Sequence, residues 1–195
     1  MNKFLMLATV VFAFGGAAAI GCTEDGGYVP PPGTPDQTVP GIAEVISGFR
    51  GARDSAEEMA SSAKGKVRLS KRLAEGQELY RAARVAHNRA IALIDASLGL
   101  PLNSVDRDGI KQALADAGRK QMDFQRWYQN IGDRRPTKQA EAASPTSASS
   151  LAELIPTVFE VFTTLVQIGD ERSKAQREWM REALKECLMP SWDSI

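Results

Sequence analysis

Two cysteines in 195 residues, Cys22 and Cys187, leave no room for a disulfide framework. A single histidine, His87, leaves a zinc or copper site short of ligands. A Ser–His–acid relay would also have to run through that one imidazole, and no serine sits in a strand–turn–helix elbow. The 24 basic and 24 acidic side chains balance, so no bulk charge favours nucleic acid, and no block of like charge marks a polyionic tail. Glycine-rich phosphate loops and dinucleotide fingerprints are missing. Aromatic residues make up only 7% of the chain. These shortages argue against an enzyme, a cofactor and a small-molecule substrate. The carboxylates have basic residues three or four positions away, as on solvated helix faces.

What the chain has is alanine, leucine and charged residues, a composition that leans towards helix. It also has one apolar segment of note. Lys3 precedes the 17 residues Phe4–Ile20, small residues close that run, and Cys22 follows Ala19-Ile20-Gly21. A charged start, a short apolar stretch and small residues before a cut site describe a secretory signal. Seventeen residues also lie at the lower edge of a membrane-spanning helix, which Gly15-Gly16 would weaken, so a retained anchor is the alternative.

Ala19-Ile20-Gly21-Cys22 resembles the lipobox of bacterial lipoproteins, with Ala19 where that pattern prefers leucine. Ala17 and Ala19 also suit an ordinary signal peptidase. The resemblance implies a signal peptide over residues 1–21 and a lipidated Cys22 as the first residue of the mature protein. It places the chain in the bacterial cell envelope. Thr23 after the cysteine, rather than aspartate, implies outer-membrane sorting, facing the periplasm. The 195 residues less the 21 of the signal leave 174, enough for one domain with a core. Losing Lys3 leaves 23 basic side chains against 24 acidic ones.

Residues 22–39 carry Gly26-Gly27, Pro30-Pro31-Pro32 and Pro35 and read as a flexible tether. A helical domain is expected over 40–195. Thr38 is a possible cap and Pro40 a good first-turn residue. Ile42, Val45, Ile46, Phe49, Ala52, Ala56, Met59, Ala60 and Ala63 share one helix face. Leu69, Leu73, Gly76, Tyr80, Ala83, His87, Ala90 and Ile94 continue the rhythm. Only Lys64-Gly65-Lys66 interrupts it, so one long helix from Pro40 to Leu98 is favoured over two. Leu98-Gly99-Leu100-Pro101 stops it.

A further helix is expected from about Ser104 to Gly132, with Asp106 and Asp108 in its first turn. Its seam is Ile110, Ala113, Leu114, Ala117, Gln121, Phe124, Tyr128 and Ile131. The short connection returns it antiparallel. Residues 133–149 read as a disordered loop. The last helix opens on a capping box, Ser150 with Glu153, and Pro156 kinks it or moves its start to about Ile155. Ile155, Val158, Phe159, Phe162, Leu165 and Val166 give it a broad apolar face. Ala175, Trp179, Ala183 and Cys187 carry the seam on to Pro190. Trp192 and Ile195 are expected to fold back as an apolar lid, with a frayed end as the alternative.

The fold expected is therefore all-α, without β-sheet: an elongated three-helix up-down-up bundle with coiled-coil character. Lys64, Arg68, Lys71 and Arg72 would form one positive stripe on a continuous helix, open to an anionic partner or simply solvated. His87 and Cys187 are expected as buried core residues, although Cys187 could instead pair between chains. The function expected is that of an envelope module binding a protein partner or itself. The alternative is a membrane-active protein that docks or inserts Ile155–Ile168.

Overall fold

A computed structural model describes residues 39–66, 70–132, 151–168 and 171–195. The signal peptide, Cys22, most of the tether, Arg68, the 133–149 loop and the Ser150 cap lie outside the described residues. Within them the chain is all-helical, with no strand. The α-helices are α1 (Ile42–Lys66), α2 (Ser70–Ser97), α3 (Arg107–Gly132), α4 (Ile155–Ile168) and α5 (Glu171–Glu186).

Five helices stand where three were expected, because the two longest expected helices each divide. Within 40–98, α1 and α2 are two helices packed against each other. The Phe49 and His87 rings meet edge to face with centroids 5.2 Å apart. Along one straight helix, 38 residues would separate them by roughly 57 Å. Burial explains the break: Met59, Ala60 and Ala63 of α1 share a cluster with Tyr80 and Ala83 of α2. A continuous helix would deny those residues each other as partners.

α3 lies antiparallel to α2, with Phe124 against Tyr80 (5.5 Å between centroids) and Trp127 over Gly76. It lies parallel to α1, since Gln121 Nε2 donates to the Ala52 carbonyl (3.0 Å) and Tyr128 Oη to Ser62 Oγ (2.9 Å). Asp106 caps α3 from outside its first turn, its Oδ1 accepting from the Gly109 amide at 2.9 Å. Asp108 is the acidic residue inside that turn.

α4 starts at Ile155 behind a 3-10 turn, Leu151–Leu154, so Pro156 falls in a first turn, where its missing N–H is harmless. It runs antiparallel to α1. Leu154 sits against Gly48, and Thr157 and Val161 sit against Gly41. Gly41 holds φ +83°, and a Cβ there would come within 2.6 Å of Thr157 Cγ2. α1 therefore begins at Ile42, after this glycine, rather than at Pro40. Val39 is buried in the core, so the fold starts one residue inside the expected tether.

Val158, Val161, Phe162 and Leu165 of α4 are buried with Ile42, Val45 and Ile46 of α1. The apolar face of α4 is thus a wall of the core, as its spacing suggested. Glu160 and Gln167 lie exposed on the other side. Val166, expected on the core face, is exposed instead.

α5 runs back along α2: Arg181 pairs with Asp95 (3.4 Å), and Cys187 lies beside His87. Its buried residues are Ser173, Gln176, Met180, Ala183 and Leu184. The expected seam stepped by four from Ala175, and four residues advance 40° beyond a full turn. Such a seam starts at the edge of the face, with Ala175 half-buried and Trp179 packed against the core, and reaches full burial at Ala183 and Cys187. Beyond Pro190 the chain folds back as expected, with Trp192 buried and Ile195 packed against the same cluster.

Candidate functional site

The expected positive stripe required an unbroken helix. With two helices, Lys64 belongs to the last turn of α1, while Lys71 and Arg72 open α2 and are exposed. Lys64 Nζ donates to the Trp192 carbonyl and stands 5.3 Å from the centre of that indole. Lys66 does the same for Tyr128, with its Nζ 3.2 Å from the phenol oxygen and 5.3 Å from the ring centre. The bond to Ser62 Oγ, helped by Lys66, draws the Tyr128 hydroxyl below its ordinary pKa. Two lysines at the end of α1 thus serve aromatic packing.

His87 is buried at the centre of α2. Its Nε2 lies 2.9 Å from the Cys187 carbonyl, and a carbonyl only accepts, so Nε2 carries the proton. Nδ1 is buried without a hydrogen-bond partner. Burial first, opposed by that hydrogen bond and aided by nearby Arg53, pushes the imidazole pKa down to about 4. Cys187 is a buried free thiol, its Sγ 3.2 Å from the Ala183 carbonyl and 3.7 Å from that of Ile46. Burial also pushes this thiol up. A protonated, enclosed thiol is a poor nucleophile and a poor partner for a disulfide between chains.

The most organised polar arrangement surrounds the chain that leaves α5. Arg53 donates to the Glu186 carbonyl and His87 to that of Cys187. Asn88 brackets Met189, donating to its carbonyl (3.2 Å) and accepting from its amide (2.9 Å). Tyr80 Oη donates to the Pro190 carbonyl (3.1 Å), and Lys64 reaches that of Trp192. Five side chains from α1 and α2 therefore hold carbonyls of five residues between 186 and 192. The Trp192 ring fits between Tyr80 (5.4 Å) and Phe124 (6.4 Å), both edge to face. Sequence reasoning missed Arg53 and Asn88 altogether and read Tyr80 as seam alone. The available signal was Met189-Pro190-Ser191-Trp192, an extended apolar motif behind a helix.

On the opposite end, an open depression is lined by Pro101, Leu102, Asn103, Val105, Arg107 and Val166. Arg107 lies 5.4 Å over the Phe159 ring there. Among the described residues, no group of three or more His, Cys, Asp or Glu is placed to hold a metal ion. No described helix is long and apolar enough to cross a membrane. Comparisons with protein-family models, curated proteins and solved structures give no match to this chain.

Proposed function

We propose that the chain is a bacterial envelope lipoprotein, anchored through lipid on Cys22 at the periplasmic face of the outer membrane. Its helical domain acts there as a structural or protein-interaction module. The observation that carries this reading is Lys3, the apolar Phe4–Ile20 run and Ala19-Ile20-Gly21-Cys22 in succession. The start of the fold at Val39 is compatible with it. Sixteen residues separate Cys22 from Val39, a spacer of up to roughly 50 Å if extended at ~3.1 Å each. The finer architecture we propose is an elongated bundle with coiled-coil character. In it α1, α2 and α3 form an up-down-up trio, and α4 with α5 cover the side assigned to the third helix. Lys71 and Arg72 remain the stripe residues best placed to meet an anionic partner.

The membrane-active alternative asks α4 to leave the core with Val158, Val161, Phe162 and Leu165, all of them buried. Fourteen residues are also too few to span a bilayer as a helix. Cys22→Ser tests the anchor: labelling by a radiolabelled fatty acid should vanish and unprocessed precursor should accumulate. Labelling that survives the change contradicts the lipoprotein reading. Liposome leakage caused by the delipidated domain would favour the membrane-active one.

A further inference from the structure

We propose that Tyr128 is a covalent modification site: a nucleophilic phenol that takes an acyl group from activated acyl donors, with Ser62 and Lys66 as its activating partners. The three side chains form one line of hydrogen bonds across the contact between α1 and α3. Tyr128 Oη donates to Ser62 Oγ over 2.9 Å, and Lys66 Nζ donates to Tyr128 Oη over 3.2 Å. Ser62 and Lys66 stand four residues apart on α1, so one helix face brings both to the same oxygen.

The chain holds its own contrast. Tyr80 is fully buried, and its Oη meets the Pro190 carbonyl, which can only accept. An ionised Tyr80 would face that carbonyl inside an aromatic cluster, and burial pushes its phenol up. Tyr128 has the opposite neighbours. The Ser62 hydroxyl can turn to donate and the Lys66 ammonium only donates, so both hold the oxygen better once it is ionised. Together they outweigh burial and the Glu58 carboxylate of α1, which oppose ionisation.

The site is also open. Tyr128 is only half-buried, and Gly65 and Lys66 are exposed. Nothing stands within 4 Å of a Cβ built at Gly65, which leaves a small acyl donor room to approach. The phenolate oxygen attacks the acyl carbon, and the new O–C bond forms as the bond to the leaving group breaks. The bonding electron pair departs with that group, and the phenol proton goes to water. Because all three residues lie in α1 and α3, the proposal does not depend on the lipid anchor.

The test treats the full chain in a mild detergent with N-acetylimidazole at mildly alkaline pH, beside an equal concentration of N-acetyltyrosinamide. Peptide mass mapping locates the acetyl groups, and hydroxylamine strips phenyl esters while leaving lysine amides. Tyr128 should be esterified several-fold faster than the free amide, with its rate rising at lower pH, and Tyr80 should stay unmodified. Lys66→Met should remove that advantage and return the pH profile to that of the free amide. Lys66→Arg, which keeps the cation, should restore most of it, and Ser62→Ala should slow the reaction. If Lys66 serves packing alone, the pH profile will not move with Lys66→Met, and the proposal falls. Tyr128 reacting no faster than the free amide overturns it too, as does acetyl found only as an amide on Lys66. If Lys66→Met loses its helix signal, tyrosinate absorbance of the unmodified chain decides instead. One phenol ionising below the free amide supports the site, and none doing so overturns it.

Discussion

His87 Nε2 donates to the Cys187 carbonyl across 2.9 Å and ties the middle of α2 to the end of α5. The other ring nitrogen is buried and unpartnered. Protonating it would place a charge among Phe49, Cys187 and Arg53, which is why the imidazole stays neutral.

That relationship predicts a pH dependence. With a folded pKa near 4 against an ordinary 6.5, the unfolded chain binds more protons between those values. Stability from His87 is fully present above pH 6.5 and is lost as pH falls towards 4. The loss amounts to about 3 kcal/mol at most. His87→Gln keeps a donor for the Cys187 carbonyl but cannot titrate. Urea denaturation at several pH values should show a shallower decline for the variant over this window. Parallel declines would mean that other groups carry the pH dependence.

Three glycines predict three different outcomes with alanine. Gly65→Ala lies in α1 with nothing within 4 Å of the new methyl, so it should stabilise by up to about 1 kcal/mol. Gly41→Ala must hold φ +83° and meet Thr157, and should cost at least about 1–2 kcal/mol. Gly76→Ala drives its methyl into the Trp127 ring and should cost about 1–3 kcal/mol by overpacking. Thermal melts of the three variants read the order directly. A destabilising Gly65→Ala would contradict a helical Gly65.

Phe162 tests α4 as a core wall. It is 2% exposed, among residues of both α1 and α5. Phe162→Ala should cost about 3–5 kcal/mol and lower the melting temperature sharply without detergent. An unchanged melt with lost vesicle binding would mean that this face serves a membrane.

Periodicity carried much of this fold into view. The α1 seam from Ile42 to Ala63 and the α3 seam from Ile110 to Phe124 are buried residue for residue. So are the expected lid at Trp192 and the enclosure of His87 and Cys187. The division between α1 and α2 was not legible, because Gly65 costs a helix only about 1 kcal/mol while long-range burial sets α1 against α2. Gly41 hid for a related reason: its positive φ answers to Thr157, which lies over a hundred residues away. The contacts to the chain leaving α5 were equally hidden. Arg53 and Asn88 look like surface residues until the chain after α5 lies across them.

The central claim, lipid on Cys22, is tested most directly by mass spectrometry of the protein extracted from membranes of cells that make it. A proteolytic digest should yield an N-terminal peptide that starts at Cys22 and carries a diacylglyceryl group, with or without a further acyl chain. A peptide starting at Met1, or an unmodified one starting just after Ala17 or Ala19, would contradict the claim.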